Sequence, residues 1–456
     1  MKILCVGGGP AGLYFAISAK RRDAGHDITV IERDPPGATY GWGVVYWDNL
    51  LDMLYSNDME SARQIRAASR LWQEQEIRLG AQRAYLPGYG YSIQRAALLD
   101  ILTRRAQALG VTVEHNHPVD NLADPTGSAG GSVLADADLV VAADGAGSTL
   151  RGLHEDSFGT QTEFGSNRYI WLGTPKVFDR FSFAFQQTPS GWLWFHAYPT
   201  SNRISTCVIE CSAETWKAHG FDWRDSQDTL QVLEKIFESH LDGAKLISHS
   251  RGEAARWLRF MQVTNSVWHH DNIVLIGDAA HTTHFTIGSG TRLAMIDAVS
   301  LAQSIYENPS PTDAPRVYDE RRRGALRAVQ ASARTSQAWF ENIDPYLDQD
   351  AAGFAYSMSG RQGEQPPWRY QKHLATQITV ARAARRHYDS AQRWYRAGRR
   401  GEAPLVHLPS LVTERDREVK HPLYPMGIGV LSDVSGAVRA AAQATGARLT
   451  RVVNWR

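Results

Sequence analysis

The stretch that decides the fold is Ile-Leu-Cys-Val-Gly-Gly-Gly-Pro-Ala-Gly at residues 3–12. Its apolar start predicts a buried strand over residues 3–6, and a helix is predicted from Pro10 to about Lys20. Between the two, glycines occupy the positions of a G-x-G-x-x-G turn: Gly7, Gly9 and Gly12. In such a turn the first glycine permits the bend, the second lets a pyrophosphate approach the backbone, and the third lets the helix pack on the strand.

A second strand and an acidic residue complete this pattern. The strand is predicted over residues 28–31, and Glu32 follows it, about 20 residues after the last glycine, where a carboxylate can bind a ribose hydroxyl. The helix start at Pro10 and Ala11 brings amide groups and the positive end of the helix dipole to the phosphates. The sequence therefore predicts a dinucleotide-binding βαβ unit, and Arg33, which follows Glu32, is a further candidate cofactor-binding residue. The motif alone does not separate NAD from FAD.

Length and composition argue against a nucleic-acid-binding, membrane-spanning, disulfide-rich or metal-binding protein. A chain of 456 residues predicts two or three domains. Its formal net charge of +1 provides no global field for nucleic acid or an anionic membrane. No apolar run is long enough to span a bilayer, and the N-terminal one is too short for a signal peptide. Three cysteines do not form a disulfide framework, and no metal-ligand spacing is evident among the 16 histidines. We therefore expect a cytoplasmic protein without a metal.

Two later strands are predicted to end in paired glycine and aspartate residues. Residues 139–143 precede Asp144-Gly145, and residues 272–276 precede Gly277-Asp278. The Asp278 carboxylate can bind a sugar-like hydroxyl. Shortly afterwards, a glycine-rich cluster precedes a predicted helix and forms a second anion-receptive group of amides, made by Gly288, Ser289, Gly290 and Thr291.

Two more segments are expected beside the same ligand. Gly43 and Val44 belong to a loop rich in glycine and aromatic residues, which can pass along a flat ring. Arg95 lies at the start of a helical pattern. A cation there is unfavourable for the helix dipole by a few tenths of a kcal/mol. We therefore expect an anionic group, such as a cofactor phosphate, near Arg95.

Residues 169–211 alternate in polarity and predict an antiparallel sheet that can offer one face to a ligand. Within it, Trp192, Trp194, His196 and Tyr198 share one face by strict alternation. We interpret this face as a substrate wall. His196 is the candidate base or orienting group because histidine titrates near neutral pH, and Tyr198 is the second candidate catalytic residue.

In order and spacing, the glycine turn with Glu32, Asp144-Gly145 and Gly277-Asp278 resemble the single-component FAD-dependent aromatic hydroxylases. The resemblance implies that the first motif holds the ADP half of FAD and that Asp-Gly lies near the pyrophosphate. It also implies that Gly-Asp binds the ribityl chain and that Arg95 contacts the cofactor.

The resemblance also implies an α/β fold like that of para-hydroxybenzoate hydroxylase. A Rossmann-like FAD-binding domain is expected over residues 1–163 and 266–345. A substrate domain with a mixed or antiparallel β-sheet is expected over residues 164–265. Residues 346–456 form a C-terminal extension that the resemblance does not cover. Within this extension, the arginine-rich stretch 382–400 is a candidate for binding a coenzyme A phosphate.

A narrower resemblance concerns the substrate. Gly41-Trp-Gly-Val-Val, His196-Ala-Tyr and Phe285-x-Ile-Gly-Ser-Gly-Thr are similar to the subgroup of salicylyl-CoA 5-hydroxylase, anthraniloyl-CoA monooxygenase and the violacein-pathway indole hydroxylase. It implies that NADH or NADPH reduces FAD, that O₂ adds to the reduced flavin, and that a C(4a)-hydroperoxide hydroxylates an electron-rich aromatic substrate. The expected substrate is an aryl-CoA thioester such as salicylyl-CoA, and the expected assembly is a monomer or homodimer.

Several alternatives stay open at this point. The substrate could be an indole or another tryptophan-derived natural product. Trp192-x-Trp194 is similar to the Trp-x-Trp-x-Ile-Pro of flavin-dependent halogenases, but His196-Ala197 replace Ile-Pro. A non-catalytic FAD-binding protein and an NAD-dependent dehydrogenase are further alternatives. Product mass, oxidation of NAD(P)H in the presence of aromatic compounds, and flavin colour would separate them.

Overall fold

The computed structural model describes residues 1–38, 41–118, 136–248, 254–308, 310–361, 366 and 368–402. The described chain forms two compact units. The first contains Met1–Ala84 and the described residues from Tyr89 to Arg361, and the second contains Tyr85–Gly88 and those from Pro366 onward. Much of the predicted C-terminal extension, 403–456, lies outside the described residues. In the described part, no helix combines the length and apolar character needed to cross a bilayer.

Most strands belong to two large sheets. In chain order the strands are β1 (Lys2–Val6), β2 (Asp27–Ile31), β3 (Gly43–Tyr46), β4 (Arg70–Leu79), β5 (Gln82–Gln94), β6 (Thr112–Glu114), β7 (Leu139–Ala142), β8 (Thr160–Phe164), β9 (Arg168–Thr174), β10 (Phe181–Thr188), β11 (Gly191–Pro199), β12 (Ser205–Cys211), β13 (Met261–Asn265), β14 (His269–His270) and β15 (Ile273–Leu275). Strands β8 and β13 form a separate antiparallel pair.

Helices connect many of the strands. In chain order they are α1 (Pro10–Arg22), α2 (Asp48–Asn57), α3 (Met59–Ala68), α4 (Arg95–Ala108), α5 (Thr149–Leu153), α6 (Glu155–Phe158), α7 (Ala213–Ala218), α8 (Ser226–Ile236), α9 (Glu238–Leu241), α10 (Gly290–Glu307), α11 (Asp313–Glu341), α12 (Asp344–Leu347), α13 (Ala351–Gly360), α14 (Trp368–Ala375) and α15 (Thr379–Arg399). Short 3-10 turns occupy Gly277–Ala279 and Phe285–Ile287.

A six-stranded sheet carries the glycine turn, in the order β14-β15-β7-β1-β2-β6. All its neighbours pair in parallel except β14 with β15. Strands β1 and β7 are almost entirely buried, which suits their continuous apolar sequences. Because β1, β7 and β15 are adjacent and parallel, the residues that follow them meet at one edge of the sheet. The predicted Rossmann-like unit of β1, α1 and β2 is confirmed.

A seven-stranded mixed sheet forms the second layer, in the order β3-β5-β4-β10-β11-β12-β9. Strand β10 pairs in parallel with β4, whereas β10, β11, β12 and β9 pair antiparallel in succession. The sheet predicted over residues 169–211 is therefore present. It also takes three strands from residues 43–94, which the sequence assigns to the cofactor domain. The exact domain boundaries stay a prediction.

The two faces of β11 have different surroundings. Leu193, Phe195 and Ala197 are buried in an apolar cluster with Leu233 of α8 and Phe237, which follows it. The alternate residues of β11 point to the opposite face, where aromatic rings from several elements gather. One face of the sheet thus supplies the packing that holds the sheet in place, and the other is available to line a site.

The second unit contains α14, α15 and the short segment Tyr85–Gly88. The Tyr85 amide donates to Gln377 Oε1 at 2.8 Å, and Gln377 Nε2 donates back to the Tyr85 carbonyl at 2.9 Å. The Arg382 guanidinium lies 3.6 Å from the centre of the Tyr85 ring. The predicted role of the 382–400 arginines toward coenzyme A stays a prediction.

Candidate active site

In the glycine turn after β1, two glycines are tightly packed against other backbone atoms and one faces open space. Gly7 has φ +112°, and a Cβ placed on it would lie 2.4 Å from the Ala143 carbonyl oxygen. A Cβ on Gly12 would lie 2.1 Å from the Gly7 carbonyl oxygen. A Cβ on Gly9, in contrast, would meet no atom of the described residues within 4 Å, apart from its chain neighbours. Gly7 and Gly12 are therefore required by the fold, whereas Gly9 borders space that a ligand can take.

Glu32 lies directly beside this turn. Its Oε2 accepts a hydrogen bond from the Gly8 amide at 2.7 Å, and its Oε1 accepts one from the Asp34 amide at 3.0 Å. The side chain stays partly exposed, and the neighbouring Arg33 is exposed. The predicted ribose-binding carboxylate is thus held at the carboxyl end of β2, next to the glycine turn.

Asp144 follows β7 and organises the next loop. Its carboxylate accepts hydrogen bonds from Ser148 Oγ at 2.6 Å and from the Thr149 amide at 2.8 Å. Burial raises the pKa of Asp144, and these hydrogen bonds oppose that rise. Arg151 donates to the Ala146 carbonyl at 2.6 Å and to the Ala279 carbonyl at 3.1 Å. The Asp144-Gly145 loop is thereby joined to the Gly277-Asp278 turn.

A buried aspartate on α10 supports the Gly277 turn. Asp297 Oδ2 accepts from the Gly277 amide at 3.1 Å and lies 2.8 Å from His281 Nε2, and its Oδ1 pairs with Arg322 at 2.7 Å. A Cβ on Gly277 would lie 3.0 Å from Ala11 Cβ, so this turn touches the first helix. His281 is therefore engaged with the aspartate that holds the turn.

Arg95 and Asp278 interact across the centre of this region. Asp278 is solvent-accessible, yet the surrounding protein raises its pKa, as expected on the wall of a deep cleft. Burial lowers the pKa of Arg95, while the charges of Asp278 and Glu32 act in the opposite direction. Arg95 Nε is buried and has no acceptor among the described residues. A buried guanidinium N–H left without an acceptor fits a ligand that brings its own acceptor atoms.

The cluster before α10 lies against β3 and the segment that follows it. A Cβ on Gly288 would lie 2.7 Å from Trp47 Cη2 and 3.1 Å from Val45 Cγ2. Outside its own helix and chain neighbours, a Cβ on Gly290 would meet no atom of the part of the chain that the structure describes within 4 Å, so this helix start also faces open space. The sequence-predicted residues of the cluster and of β3 are thus brought together: Gly43, Val44, Gly288, Ser289, Gly290 and Thr291.

The predicted substrate wall is an aromatic surface around His196. Its ring lies within 5.7–6.3 Å, centre to centre, of the rings of Phe181, Phe183, Tyr198 and Phe285. Phe181 and Phe183 come from the neighbouring β10, and Phe285 comes from the 3-10 turn that follows the Gly-Asp motif. Side chains from the sheet and from the cofactor side therefore line one surface.

The prediction that His196 titrates near neutral pH is wrong. Burial, assisted by the charge of Arg361, lowers the pKa of His196 to about 3, so the ring is neutral at pH 7. The sequence shows the residue type but not the loss of hydration or the nearby cation. Tyr198 donates its phenolic O–H to the Gly43 carbonyl at 2.9 Å, and burial raises its pKa. Tyr198 therefore joins β11 to β3.

Two polar residues of this surface were not predicted from the sequence. Glu210 Oε1 accepts from Asn167 Nδ2 at 2.8 Å and Oε2 accepts from Trp194 Nε1 at 3.2 Å, while burial raises the pKa of Glu210 to about 7. Burial, Glu210 and Asp278 raise the pKa of Tyr169 to about 12, and its ring lies 4.8 Å from that of Phe285. A lone carboxylate in the apolar strand β12 was the available signal for Glu210.

A small groove lies beside the same region. Its lining comes from β13, the segment before Phe285 and one side of α11, and comprises Phe260, Gln262, Thr282, Thr283, His284, Gln330, Ala333, Arg334 and Gln337. His284 Nδ1 lies 2.9 Å from Thr286 Oγ1. Within the described ranges, no three potential metal ligands cluster together.

Comparison with known proteins agrees with this arrangement. A family model described as FAD binding domain matches residues 1–333. The chain is 37% identical over 357 residues to a salicyloyl-CoA 5-hydroxylase of a Streptomyces species, covering 76% of this chain and 66%, just under two thirds, of that protein. It is 36% identical over 344 residues to the 3-hydroxy-4-methyl-anthranilyl-(aryl-carrier protein) 5-monooxygenase of Streptosporangium sibiricum, covering 75% of this chain and 90% of that protein.

A solved structure of a variant of 2-methyl-3-hydroxypyridine-5-carboxylic acid oxygenase shares the fold. Its TM-score is 0.60 at 23% sequence identity, covering 82% of this chain and 96% of that chain. The parallel sheet with its glycine turn, the aromatic-faced mixed sheet and the family match lead to the same conclusion. The chain belongs to the FAD-binding-domain family and, within it, to the single-component FAD-dependent aromatic monooxygenases.

Proposed function

We propose that this protein hydroxylates an aryl thioester, with salicylyl-CoA as the best candidate, and consumes NADH or NADPH and O₂. Both relatives named above act, by their names, on aryl groups held as thioesters, one on CoA and one on a carrier protein. Both names also place a heteroatom at ring position 2 and the reaction at position 5. Because that heteroatom donates electrons to the para position, we expect hydroxylation para to it.

The observation that carries this proposal is the aromatic wall beside the cofactor loops. His196 and Phe285 form one continuous surface, although they come from the mixed sheet and the turn after Gly277-Asp278. Such a surface can hold a flat ring and exclude water from it. A neutral His196 can donate or accept a hydrogen bond with a ring substituent.

The residues on the cofactor side fit FAD. Open space at Gly9 and Gly290, the carboxylates of Glu32 and Asp278, and the unsatisfied Arg95 Nε form a polar cleft suited to a dinucleotide. We assign to the same cofactor the other sequence-predicted residues: Gly7, Pro10, Ala11, Gly12, Arg33, Gly43, Val44, Asp144, Gly145, Gly277, Gly288, Ser289 and Thr291. When bound, FAD supplies the redox chemistry that activates O₂.

This chain's own residues contribute position and electrostatics. The start of α10 offers amide N–H groups and about half an elementary charge from its dipole, so it favours negative charge near Gly290. The aromatic wall orients the substrate ring. Asp297 contributes indirectly, because its hydrogen bond with the Gly277 amide fixes the turn that contains Asp278.

The proposal is tested with FAD-loaded protein and a substrate panel. Salicylyl-CoA, anthraniloyl-CoA, free salicylate and indole are compared for stimulated oxidation of NADH and NADPH and for product mass. We expect salicylyl-CoA to stimulate oxidation most and to gain one oxygen at position 5. Faster turnover of indole would favour the natural-product alternative, incorporation of chlorine would favour a halogenase, and no stimulation by any compound would favour a non-catalytic protein.

A further inference from the structure

Arg361, at the end of α13, is a cation whose hydrogen-bond partners within the described residues are all neutral. Its Nε donates to Ser336 Oγ at 3.0 Å, one terminal nitrogen donates to the Met358 carbonyl at 2.5 Å, and the other donates to the Thr286 carbonyl at 3.0 Å. These bonds use three of the five N–H groups of a guanidinium. In the described chain, no carboxylate pairs with Arg361.

The Arg361 charge acts on the aromatic wall. It is among the causes that lower the pKa values of His196 and His284 to about 3, after burial in both cases. The guanidinium carbon lies 5.6 Å from the centre of the Phe340 ring. Burial lowers the pKa of Arg361 to about 10, so the group remains charged at neutral pH. Within the described residues, Arg361 is therefore a fixed positive charge next to the wall, bonded to the residue that follows Phe285.

We propose that Arg361 is the counter-ion of an ionised oxygen on the substrate ring, such as the phenolate of a 2-hydroxyaryl thioester. This inference rests on the proposed function, since it takes the wall as the place of the substrate ring. A desolvated charge without an opposite charge is unfavourable, so a site of this kind favours an anionic ligand. The phenol releases its proton to solvent on binding, and the phenolate is the more electron-rich ring.

The other titratable groups of this surface do not supply the missing negative charge. His196 on β11 and His284 before the 3-10 turn are neutral at pH 7. Glu210 on β12, with a pKa of about 7, is ionised only in part, and its charge is not among the influences on Arg361. A phenol can ionise to fill this role, whereas an arylamine or an indole has no oxygen to ionise. Arg361 thus favours hydroxyaryl substrates over both.

The first test measures binding rather than turnover. FAD-loaded wild type, Arg361→Gln and Arg361→Lys are titrated with 4-nitrophenol, whose phenolate is coloured, and with 4-nitroanisole, which has no ionisable oxygen. Arg327→Gln, at an exposed position of α11, is the matched control for loss of one charge. We expect wild type to lower the pKa of bound 4-nitrophenol by about one unit or more. Arg361→Gln should bind 4-nitrophenolate at least tenfold more weakly and 4-nitroanisole equally well.

Several results would overturn the assignment of Arg361. The assignment is contradicted if wild type binds 4-nitrophenolate no more tightly than 4-nitroanisole. It is also contradicted if Arg361→Gln lowers the affinity for both ligands equally. If Arg361→Gln fails to fold, Arg361→Lys provides the test, because it keeps the charge and should keep most of the pKa shift. A lysine variant without any shift would count against the assignment.

A second measurement separates this inference from the proposed function. If nitrophenolate binding depends on Arg361 but wild type hydroxylates no compound of the panel, the anion site stands and the proposed function fails. If wild type hydroxylates salicylyl-CoA and anthraniloyl-CoA, Arg361→Gln should lower kcat/KM at least tenfold more for the former. Equal losses for both would leave the function intact and remove the role of Arg361.

Discussion

His196 is the residue on which the proposed substrate site is centred, and its environment limits what it can do. A ring with a pKa of about 3 is a weak base, so we expect it to orient the substrate by hydrogen bonding rather than by strong proton abstraction. Its four aromatic neighbours hold the ring in place.

His196→Gln should lower the yield of hydroxylated product per NAD(P)H consumed and leave FAD bound. The glutamine keeps a hydrogen-bonding side chain but not the ring that packs in the wall. Product is quantified against NAD(P)H oxidised, and bound flavin is read from its absorbance. His117→Gln, at an exposed position, is the control. Unchanged coupling in His196→Gln would remove this residue from the mechanism.

Glu210 should give the protein a measurable pH dependence of stability. Its pKa is raised from 4.5 to about 7 in the folded protein, so the folded state binds more protons than the unfolded state between these pH values. The free energy of unfolding should therefore fall through this group as pH rises from 4.5 to 7, by about 3 kcal/mol. His196 and His284, with depressed pKa values, act in the opposite direction as pH rises from 3 to 6.5.

The Glu210 contribution is isolated by comparing variants. Denaturant unfolding is measured at several pH values for wild type, Glu210→Gln and the exposed control Glu163→Gln. Because the histidine contribution is common to all three proteins, the difference between wild type and Glu210→Gln should change with pH and level off above about pH 7. A difference that is constant over this range would contradict the raised pKa.

At the scale of elements, the turn between β1 and α1 contains glycines of two kinds. One is required by the packing of the fold, and the other borders the space where a ligand can bind. Gly12 has no room for a side chain, because the added atom would meet the Gly7 carbonyl. Gly9 has φ −76° and open space in front of it, so alanine fits the FAD-free protein there.

Gly12→Ala should lose more than about 2 kcal/mol of stability or fail to fold. Gly9→Ala should keep the stability of the FAD-free protein, or gain slightly, while its affinity for FAD falls at least tenfold. Unfolding of FAD-free protein and flavin binding are measured for both. An unchanged FAD affinity in Gly9→Ala would show that the cofactor does not approach this glycine.

Tertiary pairing also decides where elements begin. The sequence 91–102 includes helical spacing at Leu98, Leu99 and Leu102, and the helix indeed begins at Arg95. The residues just before it are the end of β5, because they pair with β3 across the mixed sheet. Spacing alone predicts the helix, but the point at which the strand ends depends on a partner from another part of the chain.

For the molecule as a whole, FAD binding should be coupled to stability through Arg95. Saturation with FAD at 100 times its Kd should raise the free energy of unfolding by about 2.7 kcal/mol. Arg95→Gln removes a cation whose buried Nε has no partner among the described residues, so FAD-free protein should be no less stable than wild type. The same variant should gain less stability than wild type at equal FAD concentration.

The control is Arg104→Gln, an exposed position on the same helix, which should leave both states within about 0.5 kcal/mol of wild type. Thermal or denaturant unfolding with and without FAD gives both quantities. If Arg95→Gln destabilises the FAD-free protein and leaves the FAD-dependent gain unchanged, Arg95 has a structural role only.

The sequence by itself determined the local units: the strand–glycine–helix turn, Glu32 after β2, the two Gly/Asp strand ends and the alternating face of β11. Such patterns depend on neighbours within a few residues, through backbone conformation, periodicity and burial. They were sufficient for the α/β fold, the family and the cofactor class.

Only the tertiary structure decided which distant groups meet. Asp297 supports a turn 20 residues before it, Glu210 is buried on the wall, and Arg361 reaches that wall from a segment that the family resemblance does not cover. Hydration and local charge set their chemistry, and both depend on how sheets and helices pack rather than on residue type. For this reason the pKa of His196 and the cation beside it could be read only from the folded chain.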